Sequence, residues 1–223
     1  MQYIQLKEEN KEANLQTLIH FYNSVWGVYE EYVENDKALY FIFDDKNSAI
    51  FSKRAKVIIL NTMYSAGMKD VQKDDFVDNF DWTVSGKKYK KNGGDYRSTQ
   101  LLSLESKLCH WKSEVNNQSK ALPIYDNNVK WGLDYYRQDK LRRDSQNSRN
   151  ARYQRFPALQ KAVDEFITKY LGKEGSDVIQ TQKEVEGLPN AISIYRLVDK
   201  FLWLSYKINH GKVPQNVKDA YNN

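Results

Sequence analysis

The stretch STQLLSLESKLCHWKSEVNNQSKALPIYDNNVKWGLDYY, residues 98–136, decides the fold predicted for this chain. Its first half repeats apolar side chains at steps of three and four residues, the spacing of one helix face: Leu101, Leu104, Leu108, Trp111 and Val115. A polar run follows and ends at Pro123, which favours an extended segment. Asp126 then stands where a helix cap is expected, before a second periodic segment. The stretch therefore predicts two helices joined by a polar connection.

Lys107 occupies an unusual place in this pattern. It lies at the edge of the apolar face, between Leu104 and Leu108, although its ammonium prefers water. Ser103, one turn earlier, is a candidate cap that starts or restarts the helix. Lys107 and Asp126 are 19 residues apart, so a hairpin of the two helices is expected to bring them together.

The pair has the residue types that covalent catalysis needs. A lysine amine is a nucleophile only when neutral, and apolar surroundings disfavour its charged form. Such an amine can attack an electron-poor carbon and form a Schiff base, while a nearby Asp stabilises a developing cation or moves protons. Trp111, one turn after Lys107, could offer a flat face for a base. Two structural alternatives remain open: the lysine extends to solvent, and Asp126 is only a cap.

The composition indicates one globular, mostly helical domain spanning 1–223. Of the 223 residues 40% are hydrophobic, and 10 Gly with 4 Pro are too few for a disordered chain. A single cysteine, Cys109, excludes an internal disulfide, and with three scattered His it cannot build a zinc site. The polar start from Gln2 and the lack of a long apolar run predict a soluble, cytoplasmic protein without a signal peptide or membrane partner. We expect no metal and no cofactor.

Elsewhere the same periodicity predicts further helices over 10–34, 47–67, 157–172 and about 190–210. Asn47 or Ser48 is the expected cap of the second of these. The apolar segment 38–45 could be a strand or a buried helix, and 173–189 is expected to be a loop.

The net charge of +5, with a pI near 9.0, permits a polyanionic partner. Basic side chains are concentrated in two segments, 86–98 and 137–155. They either hold phosphates or form solvated loops.

The segments SKLCHW (106–111) and ALPIYDNNVKWGL (121–133) resemble the catalytic segment of the helix-hairpin-helix DNA glycosylases, nearest the 8-oxoguanine DNA glycosylase/lyase branch. In that family a Lys opens the helix after the hairpin, and an Asp follows nineteen residues later in a Pro–hydrophobic–Asp context. Lys107 and Asp126 match both identities and the spacing. The segment KVIILNTMYSA (56–66) is similar to the family's buried helix that ends in a polar Asn near the opposite strand, with Asn61 at the matching position. The chain departs from the family at its Gly-x-Gly turn, where it has Ser103 and Glu105.

The resemblance implies an all-α, helix-hairpin-helix DNA glycosylase-like bundle of two intimate lobes, with the catalytic cleft between them and the central hairpin at about 98–136. It implies a monomeric, nucleoid-associated enzyme that excises a damaged or modified base from double-stranded DNA by base flipping. Asp126 would stabilise the oxocarbenium-like sugar. Lys107 would attack C1′ and form a Schiff base, from which the AP lyase reaction cuts the strand.

Two further sets of residues follow from the resemblance. The candidates for the base pocket or the opposite strand are Trp111, Asn61, His110 and Tyr125. The candidates for the DNA backbone are Lys87, Lys88, Lys90, Lys91, Arg97, Asn128, Arg142, Arg143, Arg149 and Arg152. A non-catalytic DNA-binding or interaction protein that keeps the fold, and an unrelated helical protein with a Lys107–Asp126 salt bridge, remain as alternatives.

Overall fold

A computed structural model describes residues 3–64, 75–84, 89–91, 94–96, 99–137, 153, 155–181 and 187–222. These residues are mostly helical, which confirms the all-α class. The helices are α1 Lys11–Ser24, α2 Glu30–Phe43, α3 Lys53–Met63, α4 Asp75–Asn79, α5 Thr99–Asn116, α6 Asn127–Tyr136, α7 Phe156–Phe166, α8 Ile194–Asn209 and α9 Gln215–Asn222. Two antiparallel strand pairs join β1 Tyr89–Lys91 to β2 Gly94–Tyr96 and β3 Val178–Gln180 to β4 Ala191–Ser193.

The N-terminal segment is two helices rather than the one predicted over 10–34. A 3-10 turn, Trp26–Val28, separates α1 from α2 and places the Trp26 ring in the core. The second helix continues through the apolar segment 38–43, so the ambiguity between strand and helix is resolved in favour of helix. Its buried apolar side chains recur at helical spacing: Val33, Leu39, Ile42 and Phe43.

The helix predicted over 47–67 begins later than expected. Asn47 belongs to a 3-10 turn, and Ser52 caps α3 by accepting a hydrogen bond from the Ala55 N–H at 3.2 Å. The helix ends at Met63, and the predicted end at Gly67 lies outside the described residues.

The C-terminal half agrees with the prediction in its helices and differs in one sheet. Pro157 lies in the first turn of α7, and Gly172, with φ of +61°, ends the π-helical turn that follows. Residues 178–180, which were predicted to be a loop, pair with residues 191–193, which were predicted to be helical. The helix begins later than predicted because Ser193, in an extended conformation, is its cap. No helix in the described part of the chain is both long and apolar enough to cross a membrane.

The buried side chains form two hydrophobic cores. The first core joins α1, α6, α7 and α8, and the second joins the end of α2 to α3, α4 and α5. The two helices of the 98–136 stretch are therefore divided between the cores: α5 contributes Leu104 and Trp111 to the second, and α6 contributes Val129 and Leu133 to the first. Any contact between α5 and the start of α6 lies where the two cores meet.

Candidate active site

Lys107 projects from the middle of α5 into the junction of the cores. Its Nζ donates to Ser103 Oγ at 2.8 Å and lies 3.4 Å from Asp126 Oδ2. Only 4% of the residue is exposed, so it is more buried than its edge position predicts. The structure thus brings together the two residues that the helix hairpin was expected to join.

The start of α5 differs from what the sequence and the resemblance predict. The helix runs unbroken from Thr99 through Ser103, so Ser103 is no cap and Lys107 does not open a helix. Ser103 lies one turn before Lys107 on the same face, which explains the hydrogen bond between them. Glu105 is fully buried and does not present its carboxylate to a phosphate.

Asp126 is the predicted cap of α6. It is in an extended conformation, and its Oδ1 accepts a hydrogen bond from the Asn128 N–H at 2.8 Å. Its other oxygen, Oδ2, faces Lys107. The preceding residue, Tyr125, donates its backbone N–H to Ser106 Oγ at 2.9 Å. This bond attaches the connection to α5 and fixes the carboxylate opposite the ammonium.

A small cavity of about 20 Å³ lies beside the pair. It is lined by Trp26, Tyr32, Tyr64, Lys107, Ile124, Asp126, Asp199, Lys200 and Trp203. This volume holds about one water molecule. The site therefore combines an amine, carboxylates and aromatic rings in a space that is closed to larger ligands in this conformation.

A network of buried charges lies between the cores. The Arg196 guanidinium pairs with the Asp36 carboxylate, and its Nη1 lies 3.8 Å from Asp199 Oδ2. Its Cζ lies 4.3 Å from the centroid of the Trp111 ring. Lys200 Nζ lies 3.5 Å from Asp36. Buried charges are stable only when they are paired, and these pairs join α2 to α8 across the junction.

The two charged residues of α8 that line the cavity have displaced pKa values. Burial raises the pKa of the Asp199 carboxyl, and the Asp126 carboxylate raises it further against the opposing Lys200 and Arg196 charges. Burial lowers the pKa of Lys200, and the Arg196 charge adds to that effect. Both shifts favour the neutral forms inside the cavity.

Three base-pocket candidates lie in the cores instead of the cavity. Trp111 is fully buried and donates its Nε1–H to Tyr64 Oη at 3.0 Å. His110 is fully buried, with Nδ1 2.7 Å from the Leu122 carbonyl oxygen, and burial lowers its pKa to about 3. The Tyr125 hydroxyl donates to a backbone carbonyl. None of these three presents a face to a ligand in this conformation.

The remaining candidates are less constrained. Asn61 is half-buried on α3. The cavity is lined instead by Tyr64, which directly follows the end of that helix. Asn128 contributes its backbone N–H to the cap. Lys90 and Lys91 belong to β1, but their side chains lie outside the described residues. The other candidates for the DNA backbone lie entirely outside the described residues: Lys87, Lys88, Arg97, Arg142, Arg143, Arg149 and Arg152.

Sequence reasoning missed most of the cavity wall. The strongest available pattern was in α8, where charged residues interrupt an apolar helix at Arg196, three and four residues later at Asp199 and Lys200, and again two turns later at Lys207. Such a row on one face of a buried helix indicates a polar partner. The partner itself, Asp36 of α2, is 160 residues away from Arg196 and is identified only by the fold.

Among the described residues no group of three or more His, Cys, Asp and Glu is arranged to hold a metal ion. Comparison of the chain with protein-family models, with curated proteins and with solved structures gives no match.

Proposed function

We propose that this protein is a DNA glycosylase with AP lyase activity, which flips out and excises a damaged or modified base. The observation that carries the proposal is the position of Lys107 Nζ, 3.4 Å from Asp126 Oδ2 in a cavity walled by aromatic rings. The resemblance of 106–133 to the catalytic segment of the glycosylases supports the same roles.

The proposed reaction assigns one task to each residue. The enzyme extrudes the target nucleotide from the duplex. Asp126 stabilises the positive charge that develops on the sugar as the C1′–N bond breaks and the base leaves. The neutral Lys107 amine attacks C1′, the sugar ring opens, and the resulting Schiff base allows elimination of the 3′ phosphate.

The cavity must widen before a base can enter, because ligand pockets occupy about 300–1,000 Å³. Tyr32 and Trp203, both half-buried, line the cavity with ring centroids 4.9 Å apart. Lys207 Nζ donates to Tyr32 Oη at 3.3 Å and lies 4.1 Å from the Trp203 ring centroid. These side chains form the candidate gate, and separating them would expose faces on which a base can stack.

Borohydride trapping tests the proposal. A Schiff base between Lys107 and C1′ is reduced to a stable amine, so wild type incubated with lesion-bearing or abasic duplexes is expected to give a covalent complex. Lys107→Gln should abolish trapping, because an amide is no nucleophile. Asp126→Asn can still cap α6, and should slow base release far more than it slows cutting at a preformed abasic site.

The outcomes distinguish the possibilities. No trapped complex across a broad panel of lesions would refute the lyase assignment, and equal trapping by Lys107→Gln would assign the chemistry to another amine. The alternative function is a non-catalytic DNA-binding or interaction protein, which the small volume of the cavity favours. That alternative predicts salt-dependent DNA binding without trapping.

A further inference from the structure

Lys207 lies at the outer end of the row of side chains that α8 presents to the cavity. Asp199, Lys200 and Trp203 of this helix line the cavity, and Lys207 follows Trp203 by one turn on the same face. Asp199 and Lys200 are buried, whereas Trp203 and Lys207 are half-buried, so the row runs from the interior towards solvent. A ligand that enters along this row meets Lys207 before it reaches the Trp203 ring.

Two neutral groups hold the Lys207 ammonium. Its Nζ donates to Tyr32 Oη at 3.3 Å and lies 4.1 Å from the Trp203 ring centroid. Burial raises the pKa of the Tyr32 hydroxyl to about 12, so this acceptor carries no charge at physiological pH. In the described part of the chain no carboxylate lies within ion-pair distance of Lys207 Nζ. The half-buried cation is therefore available to an anion that arrives from outside.

In this conformation the ammonium and an entering base require the same surface. A cation 4.1 Å from the ring centroid is within the range of a cation–π contact and covers that face of Trp203. A base needs a free aromatic face on which to stack. Lys207 must therefore leave the ring before the base can use this face, and a stronger partner has to replace the contacts that the ammonium loses.

We propose that Lys207 binds a backbone phosphate of the flipped nucleotide, and that this phosphate draws the ammonium away from the Trp203 ring as the base enters. The inference rests on the proposed function. A flipped nucleotide brings its two flanking phosphates towards the entrance of the cavity, because its sugar stays bonded to both. A lysine ammonium binds phosphate as a point charge through charge-assisted hydrogen bonds, which are stronger than those to a neutral hydroxyl. The exchange of partners would couple the opening of the cavity to the arrival of its substrate.

A double-mutant cycle between the protein and the DNA tests the contact. The probe is a duplex with a tetrahydrofuran abasic analogue, which cannot form a Schiff base, and either flanking phosphate is replaced by a neutral methylphosphonate. Lys207→Met and the methylphosphonate at the bound phosphate should each weaken binding about tenfold, as measured by fluorescence anisotropy. Together they should weaken it little more than either change alone, because both remove the same contact.

Lys112→Met is the matched control. Lys112 is also a half-buried lysine over an indole, with its Nζ 4.8 Å from the Trp82 ring centroid, but neither residue lines the cavity. This variant should bind the unmodified duplex as wild type does and keep the full effect of the methylphosphonate. Circular dichroism and urea unfolding check that each variant is folded.

NMR of the otherwise unmutated protein tests the movement of the ammonium. Reductive ¹³C-methylation keeps the lysine charge, and the methyl signals of Lys207 should be shifted upfield by the Trp203 ring current. Lys207→Arg identifies these signals, because the arginine is not methylated. Addition of the tetrahydrofuran duplex should remove the upfield shift, and a shift that persists in the complex would show that the ammonium stays on the ring.

The results separate this proposal from the one on which it rests. Wild-type affinity in Lys207→Met, or additive losses at both phosphates, would overturn the phosphate contact while leaving the lyase assignment intact. A wild type that binds the duplex but gives no covalent complex with abasic DNA and borohydride would refute the lyase assignment and leave the phosphate contact to be decided by the cycle.

Discussion

Burial determines the protonation state of His110. It follows Lys107 by one turn of α5 and is fully enclosed, and its Nδ1 is within hydrogen-bond distance of the Leu122 carbonyl oxygen. Burial lowers its pKa to about 3, and the Arg196 charge adds to the effect. The imidazole is therefore neutral at physiological pH, so Nδ1 carries the proton and donates it to that carbonyl. His110 attaches α5 to the connection that carries Asp126.

The pKa of His110 predicts a loss of stability in acid. The unfolded chain binds a proton at its ordinary pKa of 6.5, whereas the folded protein binds it only near 3. The contribution of neutral His110 to the free energy of unfolding is therefore complete above pH 6.5 and is lost as the pH falls from 6.5 towards 3. The free energy of unfolding, measured with urea at successive pH values, should fall less steeply across this window in His110→Gln.

The control for this prediction is His20→Gln, because His20 is exposed on α1. That variant should follow the wild-type curve. If His110→Gln shows the same acid slope as wild type, other groups are responsible for the loss of stability.

At the scale of helices, the packing of α6 on α8 positions the carboxylate of the site. Gly132 allows the two backbones to approach, because a Cβ at this position would overlap the Leu202 carbonyl oxygen. Asp126 begins the same helix, and Asp199 and Lys200 belong to the helix against which it packs. The separation of the two helices therefore sets the distance between Asp126 and the α8 residues on the opposite wall of the cavity.

Gly132→Ala should force α6 away from α8. Overpacking of this kind typically lowers the free energy of unfolding by about 1–3 kcal/mol, which urea denaturation can measure. Asn127→Ala, at the exposed first residue of α6, is the matched control and should change stability by less than about 0.5 kcal/mol. A neutral effect of Gly132→Ala would mean that the helices can separate without cost.

The elements that the sequence predicted well are those determined by neighbours along the chain. The three- and four-residue steps of α5, the Asp126 cap and the Pro157–Gly172 helix all depend on residues within a turn or two. The 3-10 turn at Trp26 and the β3–β4 pair depend on packing against distant segments, which periodicity does not contain. The site divides in the same way: Lys107 and Asp126 follow from spacing, whereas Asp199 and Tyr32 reach the cavity only through the packing of separate helices.

At the scale of the whole molecule, the positive charge predicts how a polyanion would bind. The net charge is +5, and the segment 137–155 carries seven of the 34 Lys and Arg residues. Phosphates neutralised by these side chains would release counterions, so affinity should fall steeply with salt.

Replacing Arg142, Arg143, Arg149 and Arg152 together with Ala should weaken duplex DNA binding and flatten its salt dependence. The slope of log affinity against log salt concentration should decrease in magnitude by about 0.9 for each phosphate that the variant no longer neutralises. Fluorescence anisotropy at several salt concentrations measures both quantities. An unchanged affinity and slope would identify the segment as a solvated loop.

The division of Lys107 and Asp126 between two cores has a consequence for the nascent chain. Each core can collapse around its own apolar side chains, but neither alone assembles the nucleophile with its carboxylate. A partly folded chain in which only one core has formed therefore lacks the pairing of the Lys107 amine with the Asp126 carboxylate. The pair forms only when the two halves of the chain close on each other, so the proposed lyase activity should appear only with the complete tertiary structure.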